Sequence, residues 1–236
     1  MILSPSSLKT FVTCPLKFKV CNIDKAIVYE QSEKAKRGEE LHALMEAACI
    51  AGWDTIEWED DVSRKNAKTF VDHVWKLKAD GWQVETELGI GMTKAGKSLD
   101  FWDKDPDYWL RCRIDLFAYH PDKDFGIILD WKTGKKYDLD TLQLQVNAMC
   151  LQPKYGLTKY KTAFCYLDAG QTARHDLDIS GIKLDETDTV AISKSPCREA
   201  QWAIYRVEEA LKKEKFMPTK NRFCHWCPVE TCVFRK

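Results

Sequence analysis

The sequence has no surplus of charge of either sign. Its 236 residues include 36 Lys plus Arg and 36 Asp plus Glu, so the formal net charge at pH 7 is zero. A chain without net charge has no overall field that draws it to nucleic acid or to an anionic membrane, and any such binding must come from a local patch. An apolar run of about 18 residues and a signal-peptide pattern are missing too. We therefore expect a cytoplasmic protein that does not enter a membrane.

Internal repeats, low-complexity linkers and an ATP-binding P-loop are also missing. A chain of this length without a linker is expected to fold as a single domain over residues 1–236, and its 44% of hydrophobic residues can form a sizeable core.

Hydrophobic periodicity predicts an α/β fold, with helices before, inside and after a small mixed sheet. A short helix is expected after the Ser and Pro residues at the N-terminus. The longer predicted helices span 32–50, 63–81, 138–156 and 196–216, the third ended by Pro and Gly. The predicted strands span 83–92, 109–120, 125–134, 160–170 and 173–180.

The segment "IILDWKTGKK", residues 127–136, begins as an apolar strand and then brings Asp130 and Lys132 to one face, because strand side chains alternate. If residues 121–124 form a four-residue hairpin loop, Asp115 lies directly opposite Asp130. Two carboxylates about 5 Å apart repel each other. A divalent cation between them would remove that cost. A plain ion pair of Asp130 with Lys132 is the alternative.

These residues resemble the PD-(D/E)XK nuclease superfamily, and more closely its RecB-like and Cas4-like branch. The pattern of that branch is G-x-x-x-H on a helix, then Asp, then D-x-K, then Q-x-x-x-Y. The matching residues are Gly38 and His42 in "RGEELH", Asp115 in "RID", Asp130 and Lys132 in "DWKTGK", and Gln143. Asn147 stands where the pattern has Tyr, which puts the substrate contact of that helix in question.

The resemblance implies a restriction-endonuclease-like core and a metal-dependent deoxyribonuclease. Asp115, Asp130, His42 and the carbonyl of Trp131 would bind Mg²⁺ or Mn²⁺. Asp115, Asp130 and Lys132 would be catalytic, Lys132 orienting the attacking water. Gln143 would contact the substrate. The expected activity is that of a sequence-nonspecific exonuclease in DNA end processing, recombination or repair. A Cas4-like endonuclease that trims DNA for an integrase, or a non-catalytic DNA-binding module, are the alternatives.

Ten cysteines are present, and four of them, Cys49, Cys112, Cys150 and Cys165, lie in apolar segments as small core residues. The tail is different, because "FCHWCPVETC" has the spacing Cys224-x2-Cys227-x4-Cys232. Three thiols so close need a fourth ligand, and the second C-x-x-C of a zinc ribbon is missing.

The RecB-like and Cas4-like nucleases that carry an iron–sulfur cluster have one upstream Cys in a C-P-x-x-F context, and Cys14 in "CPLKF" matches it. The resemblance therefore implies a [4Fe–4S] cluster on Cys14, Cys224, Cys227 and Cys232, joining about 1–22 to 217–236. Structural zinc, and Cys21 or Cys197 as the fourth ligand, are the alternatives.

DNA, single-stranded or with free ends, is the expected substrate, with a helicase, recombinase or integrase as a partner. Basic residues that could hold its phosphates occur on the His42 helix (Lys34, Lys36 and Arg37) and in the segment 212–222. On the strand before the hairpin, Glu85 or Glu87 could also face the metal site, and alternation alone does not choose between them.

Overall fold

The structure is a computed structural model that describes residues 1–27, 32–58, 61–134 and 141–235, with the backbone alone at 61 and 62. Its α-helices are α1 (Pro5–Thr13), α2 (Pro15–Phe18), α3 (Glu33–Ala51), α4 (Asp61–Ala79), α5 (Thr141–Tyr155), α6 (Thr189–Lys194) and α7 (Arg198–Lys212). All the predicted helices are present, and α6 was not predicted. Residues 138–140 of the third long predicted helix lie outside the described part.

Capping residues explain where the first helices begin and end. Ser4 and Ser7 form a reciprocal capping box at the start of α1. Ser32 accepts a hydrogen bond from the Ala35 N–H at the start of α3. Gly52, at φ 105°, ends α3 in a conformation that a side chain would strain.

The prediction that Pro153 helps to end α5 was wrong, because Pro153 lies inside the helix. The helix stops two residues later at Tyr155, and Gly156 follows it at φ 69°. The Gly156 N–H donates to the Gln152 carbonyl at 2.9 Å, which satisfies a carbonyl at the helix end.

The strands are β1 (Gln83–Thr93), β2 (Ser98–Asp100), β3 (Tyr108–Tyr119), β4 (Phe125–Lys132), β5 (Lys159–Tyr166), β6 (Gln171–Arg174) and β7 (Leu177–Asp178). They form one sheet in the order β2-β1-β3-β4-β5-β6, with β7 also paired to β5. Only the β4–β5 pair is parallel among these, and α5 makes the crossover between them. The predicted mixed sheet flanked by helices is thus confirmed. The predicted strand 173–180 is two short strands instead, and β2 was not predicted.

The helices cover the sheet from both sides. On one side α1, α5 and α7 pack on it through residues such as Leu8, Leu144 and Val207, and we call this the α5 face. On the other side α3 and α4 pack through residues such as Met45 and Val74, and we call this the α3 face. None of the described helices combines the length and the apolar character that crossing a membrane requires.

The β3–β4 hairpin has the register that was predicted from its loop. Tyr119 pairs with Gly126, and the pairing runs back to Leu116 opposite Leu129. The two strands then diverge, because β4 continues beside β5 while β3 forms a bridge to Leu3 near the N-terminus. Asp115 and Asp130 are the first residues beyond the last pair, so both lie at the fork between the strands.

Side-chain alternation is broken at this level of the sheet. Ile114 belongs to the α5 face, yet Leu116, two residues further along β3, belongs to the α3 face. On β1, Leu88 packs on the α5 face and Val84 on the α3 face, and between them Glu87 has φ 47°. Both strands therefore change the face to which their side chains point where their acidic residues lie.

Candidate metal-binding active site

Three acidic residues lie in a row across three neighbouring strands. By the register of the flanking pairs, Glu87 on β1 and Asp130 on β4 lie on either side of Asp115 on β3. Asp115 is 8% exposed and Asp130 only 2% exposed. Carboxylates this close and this far from water repel each other strongly, and a bound cation would relieve that repulsion.

Helix α3 adds an imidazole to this row. His42 Nδ1 lies 3.4 Å from Asp115 Oδ1 and 4.0 Å from Glu87 Oε1. One ligand atom from each of His42, Glu87 and Asp115 lies within 4.8 Å of the others, and this is the only such group among the residues that the structure describes. Of the two open candidates, it is therefore Glu87 that joins the predicted ligands. Glu85 instead accepts a hydrogen bond from the Tyr155 hydroxyl at 2.5 Å.

Asp130 lies beside this group but is held by other partners. Lys132 Nζ forms an ion pair with Asp130 Oδ2. Gln143 Nε2 donates to Asp130 Oδ1 at 2.5 Å, and Gln143 Oε1 accepts from Lys132 Nζ at 3.1 Å. Gln143 on α5 thus closes a triangle with the two charged side chains of the D-x-K segment.

Trp131 contributes its backbone to the site. Its N–H donates to Asp115 Oδ2 at 2.6 Å, which fixes the carboxylate whose other oxygen faces His42. The Trp131 side chain is buried on the α3 face, with its ring 6.1 Å from that of Phe70. The Trp131 carbonyl as a metal ligand stays a prediction.

The pKa shifts of the site residues indicate a concentration of negative charge. Burial and the neighbouring Asp115 raise the pKa of Asp130 to about 7, although Lys132 opposes this. Burial and Asp115 also raise the pKa of Glu87. Burial alone would lower the pKa of His42, but Asp115, Asp130 and Glu87 outweigh it and the pKa is raised. Each shift has the direction that closely spaced, partly buried carboxylates produce, and such a group attracts a cation.

Behind the site, Asp168 joins three segments, and we call this contact the Asp168 clasp. Arg37 on α3 binds both carboxylate oxygens, at 2.7 and 3.1 Å. Ser63 on α4 donates to the carboxylate at 2.7 Å, and the Gly134 N–H donates at 2.5 Å. Because Arg37 shares a helix with His42 and Gly134 follows Lys132 closely, the clasp fixes the position of α3 relative to the end of β4. No sequence motif had indicated it.

Asn147, at the position where the branch pattern has Tyr, is fully buried on α5. Neither its side-chain oxygen nor its side-chain nitrogen has a hydrogen-bond partner among the described residues. A buried amide without partners is costly. Asn147 therefore does not contact the acidic groups of the site as Gln143 does.

The two ends of the chain meet at a second site, which we call the cysteine cavity. Cys14, Cys224, Cys227 and Cys232 line a cavity of about 280 Å³. The Thr219 N–H points to Cys14 Sγ at 3.5 Å. The Asn221 side chain donates to the Thr13 carbonyl at 3.2 Å. These contacts hold the tail against the C-terminal end of α1.

The other cysteines behave differently. Cys49, Cys112, Cys150 and Cys165 are buried in the two cores, as predicted. Cys197 is fully buried in the core on the α5 face, and neither it nor Cys21 lines the cysteine cavity. Among the cysteines considered as the fourth ligand, Cys14 is the one that the fold brings to the tail.

Some of the basic residues predicted to hold DNA have carboxylate partners within the chain. Lys36 pairs with Glu33 at 2.9 Å, and Arg37 belongs to the Asp168 clasp. On the segment after α7, Lys213 pairs with Glu209 at 2.5 Å. A basic surface that was not predicted, formed by Arg111 and Arg113 on β3, borders a cavity that reaches Gln143.

The profile of the PD-(D/E)XK nuclease superfamily matches residues 2–232, so the chain belongs to that superfamily. The superfamily prediction is thereby confirmed, and the RecB-like and Cas4-like branch stays a prediction. A comparison with curated proteins gives no match. The crystal structure of SSO0001 is similar to this chain with a TM-score of 0.52 and 16% identity, covering 100% of this chain and 87% of the other. At that identity the likeness concerns the fold alone.

Proposed function

We propose that this chain is a metal-dependent deoxyribonuclease that degrades DNA from a free end without sequence preference, as a RecB-like and Cas4-like member of its superfamily. One observation carries the proposal. The fold brings His42, Glu87 and Asp115 to within ligand distance of one another beside a buried Asp130 and Lys132. A row of buried acids next to a lysine is an arrangement for cation-assisted cleavage of a phosphodiester.

The donor set fits a divalent cation. Carboxylate oxygens suit Mg²⁺ and Mn²⁺, and the imidazole of His42 favours Mn²⁺. Asp115 has one oxygen toward His42 and the other on the Trp131 N–H, so its orientation is fixed in advance. Asp130 and the Trp131 carbonyl complete the set in this proposal. When bound, the cation polarises the phosphodiester and lowers the pKa of a water.

Lys132 and Gln143 position the reacting groups. The ammonium of Lys132 is held by Asp130 and Gln143, and it lies 5.0 Å over the Phe164 ring. A lysine fixed in this way can orient the attacking water and offset the negative charge that develops on the phosphorus centre. Gln143 hydrogen-bonds to Asp130 and borders the adjacent cavity, and in this proposal it contacts the scissile strand.

The proposed cellular role of the enzyme rests on its basic side chains and on the missing P-loop. Phosphate contacts from basic side chains give affinity without sequence preference. Because the sequence has no P-loop, a helicase would supply any unwinding. We place the protein in the cytoplasm, acting in end processing, recombination or repair with a helicase, recombinase or integrase partner. The whole of 1–236 would act as one nuclease domain.

We further propose a [4Fe–4S] cluster in the cysteine cavity, bound by Cys14, Cys224, Cys227 and Cys232. Four thiols from opposite ends of the chain surround a cavity of about 280 Å³. The cluster is preferred over structural zinc because the tail lacks the second C-x-x-C of a zinc ribbon. It would join about 1–22 to 217–236 and stabilise the fold.

The test is cleavage of end-labelled linear DNA by the purified protein with Mn²⁺, with Mg²⁺ and with EDTA. We expect cleavage with metal, none with EDTA, and none from the Asp130→Asn variant, which should stay folded and bind DNA. Turnover by that variant at the wild-type rate would contradict the site. Cleavage of circular DNA would instead support the endonuclease alternative, and no cleavage of any DNA would support the non-catalytic one.

A further inference from the structure

A groove runs outward from Gln143, and its other lining residues have no role in the proposed metal chemistry. It is a cavity of about 450 Å³ in the fork where β3 leaves β4. Ser4 and Ser6, at the start of α1, line one wall, and Arg111 and Arg113 on β3 line the other. Gln143, at one end of the groove, is hydrogen-bonded to Asp130. The walls of the groove are polar and basic.

Phe101 forms a fixed aromatic surface in this groove. It packs so closely on Gly89 of β1 that a Cβ atom there would come within 2.8 Å of the Phe101 Cβ. The Tyr108 hydroxyl donates to the Phe101 carbonyl at 3.1 Å. Phe101 is therefore held through both its side chain and its backbone.

The two arginines stack on that surface. The guanidinium carbons of Arg111 and Arg113 lie 4.6 and 5.2 Å from the centre of the Phe101 ring. Stacking on an aromatic face leaves the N–H groups at the edge of a guanidinium available for phosphate oxygens. Two cations of the cavity lining are thus held near the same aromatic ring.

These cations are poorly neutralised by the chain itself. Within the described ranges Arg113 forms one ion pair, with Glu87 at 3.9 Å, and its side chain is 53% exposed. Arg111 has no ion pair with any carboxylate in the described ranges. In a protein of zero net charge, an arginine held in a groove without a counter-ion creates a local positive field that attracts an anion from outside.

Trp102 extends the groove toward solvent. It is 75% exposed, although its indole contacts the Phe101 ring edge-to-face at 4.9 Å and lies 5.7 Å from the Arg111 guanidinium. A large aromatic face left in water beside a fixed cation suits a ligand with both a flat ring and a negative charge. A nucleotide has both.

We propose that Phe101, Trp102, Arg111 and Arg113 form a binding subsite for single-stranded DNA, which we call the strand subsite. The arginines bind successive phosphates of the strand that leads into the metal site, and Trp102 stacks on one of its bases. Stacking requires an unpaired base, because the faces of bases within a duplex are covered by their neighbours. This inference rests on the proposed nuclease function, since it names the strand that the nuclease cleaves.

The test measures binding of a fluorescent oligo-dT of about 15 nucleotides by anisotropy, in the non-cleaving Asp130→Asn background. Arg111→Ala should weaken binding and reduce the slope of log K against log salt by about 0.7, the value for one lost phosphate contact on a single strand. Arg64, an exposed arginine on α4, gives the matched control, and Arg64→Ala should change neither quantity. An unchanged slope for Arg111→Ala would overturn the phosphate contact.

A second set of variants tests whether Trp102 stacks on a DNA base. Trp102→Ala should weaken oligo-dT binding about five-fold or more, whereas Trp102→Phe, which keeps an aromatic ring, should retain most of the affinity. An abasic oligonucleotide has no base to stack, so its affinity should be the same for Trp102→Ala and for the parent protein. Since Trp102 is exposed, these variants should keep the wild-type melting temperature. Equal binding by Trp102→Ala and its parent, or a dependence on Trp102 for RNA and not for DNA, would overturn the strand subsite.

The two proposals fail differently. If the wild-type enzyme cleaves DNA and the subsite variants bind and cleave as it does, the strand subsite is wrong and the nuclease stands. If no DNA is cleaved with any metal and binding still depends on Arg111 and Trp102, the nuclease proposal is wrong and the subsite stands as a DNA-binding surface.

Discussion

The Asp168 clasp predicts a loss of both stability and activity in the variant Asp168→Asn. The side-chain oxygens accept from Arg37, Ser63 and the Gly134 N–H, and an amide can replace only part of this set. Arg37 lies on the helix that carries His42, and Gly134 closely follows Lys132. Loosening the clasp should therefore displace His42, the proposed metal ligand, relative to Lys132, the proposed catalytic lysine.

The size of the effect follows from the pKa of Asp168. Its hydrogen bonds from Arg37, then from Ser63 and Gly134, lower that pKa from 3.8 to about 2 despite partial burial. This shift corresponds to at most about 2.5 kcal/mol of stabilisation. The side chain is 26% exposed, so screening by solvent leaves about 1–2 kcal/mol. Because the folded-state pKa is lowered, this contribution is complete above pH 4 and is lost as the pH falls toward 2.

Urea denaturation of both proteins from pH 8 to pH 3 measures the effect. The free energy of unfolding should differ by about 1–2 kcal/mol from pH 8 to pH 5, and the difference should shrink below about pH 4. The variant should also cleave DNA with a kcat reduced by roughly ten-fold, since small displacements at an active site are costly. Asp124, which binds Lys159 at 2.6 Å on the surface, is the control, and Asp124→Asn should change neither quantity. Wild-type stability and kcat for Asp168→Asn would refute the clasp.

Three further predictions concern the other sites. His42→Ala should weaken Mn²⁺ binding in calorimetry by about ten-fold or more, and an unchanged affinity would make His42 a structural residue only. Cys14→Ser should lose the iron and the brown colour of anaerobically purified protein as completely as Cys227→Ser does, whereas Cys21→Ser should keep both. A colourless wild-type protein with about one zinc per chain would support the zinc alternative. Asn147→Leu should raise the free energy of unfolding by about 1 kcal/mol, because it removes a buried amide without partners, and a loss of stability would show that the amide has one.

The hairpin that carries the acids could be predicted because its loop is short. A four-residue connection leaves few registers, and the observed pairing of Tyr119 with Gly126 is the one that puts Asp115 level with Asp130. The helix of His42 could be predicted from its apolar stripe, which packs on the α3 face. These features depend on local periodicity and on short connections, which a sequence records directly.

Glu87 could not be distinguished from Glu85, because the choice depends on a break in alternation. A positive φ at a glutamate leaves no local signal, and it moves Glu87 toward His42 while Glu85 stays with Tyr155 on α5. The contacts of Asp168 and of Arg111 were also beyond prediction. They join side chains that are distant in sequence, and only the assembled sheet brings them together.

The most direct measurement of the central claim compares Glu87→Gln with Glu85→Gln in cleavage of end-labelled DNA with Mn²⁺. The two glutamates are two residues apart on β1, but only Glu87 is within ligand distance of His42 and Asp115. We expect Glu87→Gln to lose at least about 100-fold in kcat, and Glu85→Gln, whose amide oxygen can still accept from Tyr155, to remain close to wild type. Equal activity of the two variants would contradict a metal-dependent nuclease site at this position.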